Sequence, residues 1–270
     1  MRTPDSRFLR LVIDALPHPF YVLDADTCQI VLANKALCPD GLTPGAKCHE
    51  LTHHSAVPCD NSAEPCPIAL IKSTGKPVVC EHVHYGANGP GYFEVHAFPV
   101  CDKTGRLRQI IEYSLDITER KKAEMSLGRL NRLYATLSNI NQLIVRVRDR
   151  QRLFDEACRI LIEDGKFLMA WVGWCNLETK TVEPVASCGQ EQGYLRDIRI
   201  SLEDVPEGRG PVGTAAREGR HVVCGDLAGD PSMAPWKEAA RQRGYRSLAA
   251  FPLQMGARTV ATLAVYSGEV

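Results

Sequence analysis

The sequence carries no net charge, with 32 Lys plus Arg against 32 Asp plus Glu in 270 residues. That balance gives no bulk electrostatic reason to expect nucleic acid as a partner. It has no run of about 18 uninterrupted apolar residues, the minimum for a membrane-spanning helix. The N-terminal MRTPDSRFLRLVIDALPHPF carries charges inside its apolar pattern, unlike a secretory signal. Neither CxxC nor CxxCH occurs, which removes the usual zinc-knuckle spacing and covalent c-type haem. A Gly-rich nucleotide loop of the Walker kind is missing as well. Eleven cysteines are an odd number that cannot all pair within one chain, and disulfide scaffolds belong to small secreted domains. A reducing, cytoplasmic setting is therefore expected.

What is present suits a globular protein of two domains, with 44% apolar and 24% charged residues. Seven of eight histidines and seven of eleven cysteines lie before residue 102, so metal or thiol chemistry is concentrated in the first half. Its densest stretch is CHELTHHSAVPCDNSAEPCP, residues 48 to 67. Cys48, Cys59 and Cys66 with His53 or His54 could offer three thiolates and one imidazole, as in a tetrahedral Cys3His zinc site or a cluster with one histidine ligand. His49, His82, His84, Cys38 and Cys80 are reserves; His82 and His84 alternate along a strand and share a face. A thiol redox switch and an ordinary loop remain the alternatives. A Cys beside a His also begins a nucleophilic dyad, but no substrate motif accompanies it, so no catalytic residue is assigned.

Apolar spacing at Phe8, Leu9, Leu11, Val12 and Leu16 predicts a short helix, stopped by Pro17 and Pro19. Two strands joined at Asp24 to Thr27 follow, then a helix expected to start at Asn34 as its cap. After the Cys/His stretch, IALIKSTGKPVV predicts a helix closed by Gly75, and VVCEHVHY, GYFEVHAFPV and LRQIIEYSLDI predict three strands separated by the turns GANGPG and DKTG. This is an α+β domain over residues 1–117.

A long helix begins at DITERKKAE, where Asp116 is placed to cap the amide of Glu119. Apolar residues at Ala123, Leu127, Leu130, Tyr134, Leu137, Ile140, Ile144 and Val147 keep alternating spacings of four and three, apart from one slip at Leu137 to Ile140. A dimeric coiled coil over 118–150, merging into the first helix of the second domain, is the expectation. Residues 118–152 hold nine basic and three acidic side chains, which without interleaved aromatics reads as a solvated face. The second half, 151–270, predicts a helix at RQRLFDEACRILIEDG, then strands at FLMAWVGWCN, TVEPVASCG, HVVCGDL, SLAAFPLQ and RTVATLAVYS, with helices at GPVGTAAREG and SMAPWKEAARQRG.

The string from PHPFYVLDADTCQIVLAN to YFEVHAFPV and EYSLDITERKKAE resembles a PAS sensory domain, closed by the junction Asp116, Ile117, Thr118. LNRLYATLSNINQLIV, FLMAWVG, EGRGPVGTAAREG, DPSMAPW and YRSLAAFPL together resemble a GAF domain of bacterial sensor histidine kinases and cyclic di-GMP signalling enzymes. The resemblance implies antiparallel sheets flanked by helices around small cavities, and a connecting helix that passes the state of a cavity to an output module. A kinase or cyclic di-GMP output and a small-molecule ligand of unknown identity are expected with it; the heptad pattern predicts a homodimer, and the Cys/His segment a zinc or iron-sulfur cofactor. GGDEF, EAL and phosphoacceptor strings are not seen, and the last GAF helix is not seen, so the chain is expected to be part of a longer signalling protein. The Asn-Cys-Arg-Phe string of light-sensing PAS domains is absent. An adaptor whose basic helix meets nucleic acid or membrane is the other expectation considered.

In the second half Trp171, Arg209, Asp230 and Trp236 are the candidate cavity residues. Trp171 and Trp174 stand three apart on a strand and so face opposite sides. Asp230, before Pro231, also suits the start of a helix. Asp116, Thr118 and Leu137 are the candidates for signal relay.

Overall fold

The computed structural model of the chain describes residues 6–59, 65–86 and 89–269, and the chain divides into two compact units between Ser126 and Leu127. Each is an α+β unit built on a five-stranded antiparallel sheet. Among the described residues no helix is long and apolar enough to cross a membrane.

The first unit runs α1 (Ser6–Asp14), β1 (Phe20–Asp24), β2 (Ile30–Ala33), α2 (Cys48–Thr52), α3 (Pro67–Thr74), β3 (Val78–Gly86), β4 (Gly89–Cys101) and β5 (Leu107–Asp116), in sheet order β2-β1-β5-β4-β3. The turn expected at GANGPG includes residues 87–88, which lie outside the described residues; Gly86 and Gly89 pair across it. Alternation along the strands sends one set of side chains inward. Tyr21 stands opposite Glu112, Glu112 opposite Ala97, and Cys80 opposite Val95. Tyr21, Leu23, Ile30, Ile68, Ile71, Ala97 and Ile110 form the apolar part of this core. The rest of the inner face is polar: His82, His84, Glu112 and Ser114 are buried there.

The helix expected at Asn34 is a turn instead. The Asn34 side chain is buried and holds the chain locally. Its Nδ2 donates to the carbonyls of Ile13, Leu16 and His18, and its Oδ1 accepts from the amides of Phe20 and Leu37. An Asn that satisfies backbone groups this way competes with helix formation, and here it fixes α1 to the start of β1.

In the second unit α4 (Thr118–Arg146), which begins in the first, is followed by α5 (Arg150–Glu163), β6 (Met169–Asn176), β7 (Thr181–Gly189), α6 (Tyr194–Asp197), α7 (Pro211–Glu218), β8 (Val222–Cys224), α8 (Lys237–Gln242), β9 (Ser247–Met255) and β10 (Arg258–Ser267). The sheet order is β7-β6-β10-β9-β8. Odd and even residues of β6 part to two cores. Met169 and Trp171 join Tyr194, Val212, Trp236 and Tyr266 on one side, whereas Ala170 and Val172 join Cys158, Leu161 and Val265 on the other. The expected merger of the long helix with the next does not occur. The helical run stops after Arg146, and Asp149 Oδ1 accepts the amide of Arg152 at 2.7 Å to cap α5 afresh.

The slip in the α4 pattern has a packing explanation. Ile140 packs against the α5 side of the second unit's sheet and Thr136 is buried, while Leu127, Leu130, Tyr134, Leu137 and Ile144 are exposed. Two stripes overlap on one helix. With Asn141 counted in place of Ile140, the exposed stripe keeps spacings of four and three without interruption.

Replacing Asn34 with Ala leaves buried carbonyls and an amide without partners, and is expected to destabilise the first unit by at least about 2 kcal/mol. Urea denaturation followed by tyrosine fluorescence checks this; an unchanged midpoint would show that Asn34 is not the tie described.

Candidate functional site

The polar face of the first sheet is met by side chains from α2, from the residues after it and from the start of α3. His53, just after α2, brings Nε2 to 2.9 Å from His82 Nδ1 on β3. Cys59 completes a group whose ligand atoms all lie within 4.8 Å of one another: His53, Cys59 and His82. Thr52 Oγ1 meets His53 Nδ1 at 2.7 Å and donates to the Cys48 carbonyl at 2.9 Å. On the far side of the pair, His82 Nε2 meets the Pro65 carbonyl at 3.0 Å. His84 lies beside both imidazoles and stacks on Phe93. Burial, then the neighbouring His53 and His82, push its pKa down to about 3, so it is a neutral ring.

Cys66 precedes Pro67, the first residue of α3, so the amides of the first helical turn open toward its sulfur. Its thiol is lowered first by a hydrogen bond from Cys59 and then by the amides of Ala69 and Ile68, against the opposing effect of burial. The same bond, with burial, raises Cys59. The hydrogen bond between the two sulfurs thus makes Cys66 the more acidic thiol at the expense of Cys59.

Deeper in the face, Tyr21 Oη donates to Glu112 Oε1, while Glu112 Oε2 has no partner among the described residues. Burial raises the Glu112 carboxyl from 4.5 to about 7, and the Tyr21 hydrogen bond opposes that rise. Burial, then the Glu112 charge, holds the Tyr21 hydroxyl well above its ordinary value of 10.0, so it remains a donor.

The residues singled out from the sequence separate here. His53 and Cys59 converge, and Cys66 reaches Cys59 by a hydrogen bond although it lies outside the three-residue group. Cys48 is buried on α2 beneath them, its thiol raised by burial and by Glu112, and lies outside the three-residue group. His54 has φ 50° and turns outward, its ring 5.7 Å from that of Tyr85. His82 belongs to the group, and its signal was the His-Val-His alternation on a strand. Glu112 and Tyr21 had no sequence signal beyond an acidic and an aromatic residue within apolar strands.

At the end of β5 the junction folds as an Asx turn. Asp116 Oδ1 accepts the amide of Thr118 at 2.9 Å, rather than that of Glu119, because Ile117 is buried and its amide bonds to the Tyr92 carbonyl. Thr118 Oγ1 accepts the amide of Tyr92 at 2.9 Å. Lys121 Nζ stands 2.6 Å from Glu81 of β3, and Arg120 reaches both Glu81 and Glu94. Leu137 lies further along α4, exposed.

In the second unit the candidate cavity is filled by the protein itself. Trp171, Tyr194, Met233, Trp236 and Tyr266 are buried together, and the cavity that Tyr194, Trp236 and Tyr266 line with Gly210 and Val212 measures only ≈ 10 Å³. That is room for about one water. Trp236 Nε1 donates to the Arg199 carbonyl at 3.2 Å, and a Cβ on Gly210 would come within 2.3 Å of its ring. Trp171 and Trp236 therefore belong to this core. Arg209 is exposed and paired with Asp204, and Asp230 accepts the amide of Ser232 in the turn before α8, so neither lines the cavity. Trp174 faces the other way, under the guanidinium of Arg150.

Residues 13–122 match the family model described as PAS fold, and residues 147–270 match the one described as GAF domain. Among similar solved structures, the A. aeolicus nlh2 GAF domain in an inactive state is 14% identical, with a TM-score of 0.41 over 53% of this chain and 80% of that one. Free methionine-R-sulfoxide reductase from Neisseria meningitidis, in complex with its substrate, is 19% identical, with a TM-score of 0.39 over 48% and 70%. The PAS domain of Bordetella pertussis BvgS is 24% identical, with a TM-score of 0.29 over 45% and 92%. No curated protein matches the chain.

Because the folded pKa of Glu112 lies above 4.5, its contribution to stability is full below that pH and is lost as pH rises through about 7. The full loss is on the order of 3 kcal/mol. In chelator-treated protein, Glu112→Gln should raise the urea midpoint of the first unit at about pH 8 and change it little at about pH 5. A difference independent of pH would sink this account. In the second unit Trp236→Ala empties a buried indole site and should cost about 3–5 kcal/mol, read from loss of the second unit's denaturation midpoint.

Proposed function

Since residues 13–122 form a PAS-fold domain and residues 147–270 a GAF domain, and such domains make up sensory signalling modules, we propose that the chain detects a small ligand, a metal or a redox state in its first domain. It relays that state along α4, as a homodimer, to an output module such as a histidine kinase or a cyclic di-GMP enzyme. The reduced thiols fit the cytoplasm.

The observation that carries this reading is the way β3 serves two sites at once. His82 turns into the polar pocket, and Glu81, its neighbour in sequence, turns out to Lys121 and Arg120 in the first turn of α4. A shift of β3 that accommodates a change at the imidazoles moves the carboxylate holding the helix. Thr118 ties the same turn to β4, so strand and helix start move as a unit. The site supports sensing rather than turnover, because no separate substrate motif lies beside it; His82 and His84 are buried, and His53, Cys59 and Cys66 are half-buried.

The exposed stripe of α4 supports the dimer. A row of Leu127, Leu130, Tyr134, Leu137 and Ile144 in water is costly to a monomer, and a second copy of the same helix supplies the matching row. Asn141 falls at the one polar seam position, where an Asn specifies register and two strands.

Size exclusion with light scattering should give a dimer, and Leu130→Glu with Leu137→Glu a folded monomer. A wild-type monomer at high micromolar concentration would count against the seam. Alkylation of the pocket thiols should change hydrogen exchange in the first turns of α4, and Glu81→Gln should blunt that change. Unaltered exchange in the wild-type helix would remove the relay.

A further inference from the structure

The hydrogen bonds around His53 and His82 fix where their protons sit. The Thr52 hydroxyl hydrogen is directed to the Cys48 carbonyl, so at the 2.7 Å contact His53 Nδ1–H donates and the hydroxyl oxygen accepts. The Pro65 carbonyl can only accept, so His82 Nε2 carries a hydrogen. With one hydrogen placed on the outer nitrogen of each ring, the inner nitrogens, His53 Nε2 and His82 Nδ1, face one another at 2.9 Å. Two lone pairs at that distance repel unless a cation lies between them. The outer hydrogen bonds, one to a hydroxyl and one to a backbone carbonyl, are those that orient metal-binding imidazoles and fix their tautomers.

A proton could bridge the nitrogens, but the sulfurs favour a metal. One ligand atom from each of His53, Cys59 and His82 lies within 4.8 Å of the other two, and Cys66, outside that group, is in hydrogen-bond contact with Cys59. Two nitrogens on one tetrahedral ion stand about 3.3 Å apart, so the pair needs only a few tenths of an ångström of adjustment. We propose that His53 Nε2, His82 Nδ1 and Cys59 Sγ, with Cys66 Sγ as fourth donor, bind one zinc-class divalent ion, and that its presence is what the first domain reads. Two imidazoles and two thiolates suit a borderline-soft ion. A two-iron cluster with histidines on one iron and cysteines on the other would hold Cys59 further from the imidazoles. The site stands on these donors alone; its role as the signal rests on the sensor reading above.

The test uses the full chain, purified without oxygen and without metal-affinity resin, then titrated with cobalt(II) and back-titrated with zinc(II). Expected is about one equivalent of cobalt with the strong visible absorption of a tetrahedral thiolate site, displaced by zinc. Cys59→Ser and His82→Ala should each weaken binding at least about tenfold, and Thr52→Val, which frees His53 Nδ1, about 10- to 100-fold. Cys66→Ser should lower the thiolate charge-transfer band, whereas Cys48→Ser and His54→Ala should leave affinity unchanged. Circular dichroism of each metal-free variant, compared with metal-free wild type, separates lost ligands from lost fold. Absence of the thiolate spectrum, iron with sulfide in the purified protein, or a Cys48→Ser loss as large as that of Cys59→Ser overturns the site. A failed titration leaves the helix relay to its own exchange experiment, and a silent helix leaves the metal site standing.

Discussion

The first domain depends on the two-residue period of β3. Because successive side chains on a strand leave opposite faces, Cys80, His82 and His84 enter the interior while Glu81 remains outside. An extra residue in this strand would exchange the faces, removing the imidazoles from the pocket and the carboxylate from Lys121 together. Binding chemistry and mechanical attachment are thus consequences of one register, set by pairing along β4 from Val78 opposite Ala97 to Gly86 opposite Gly89.

A polar interior of this kind is costly, and the domain limits the cost through hydrogen bonding. Tyr21 donates to Glu112, Thr52 to Cys48, and Asn34 serves five backbone groups at the entrance to β1. The remaining exceptions are concentrated near the same face: Glu112 Oε2, His49 Nδ1 and Ser114 Oγ are buried without partners among the described residues. In the second domain the corresponding atoms are Trp171 Nε1, Arg243 Nε and Thr262 Oγ1, so each domain carries buried polar groups whose partners are not among the described residues. The second domain closes its cavity with aromatic rings, so a ligand entering there must first move Trp236 or Tyr266.

Much of this could be read from the residues. Strand order aside, the α+β class, the strand positions and the long helix follow from periodicity and turn residues, and the density of Cys and His drew attention to the stretch from which His53 and Cys59 meet His82. Pairing of particular donors could not be read, because it depends on which way a short helix faces. Cys48 sits inside α2 and turns under the sheet, whereas His53, just past its end, reaches β3, and the positive φ of His54 swings its ring away. Asn34 misled because its capping preference is the same property that makes it a hub for loop carbonyls. The α4 slip was legible as an irregularity, but its cause, two faces with different neighbours, needed the position of the second sheet. Arg209 and Asp230 have the chemistry of ligand contacts, yet local ion pairing and turn formation account for both.

Helix α4 is fixed at its first turn and again in its second half. Its first turn is clamped by Thr118, Arg120 and Lys121, and its later turns by Thr136, Ile140 and the bond from Asn139 to Asp164. The stretch between contains Gly128, the residue least able to stiffen a helix. The helix therefore owes its continuity at that point to the propensity of its neighbours rather than to its own residue.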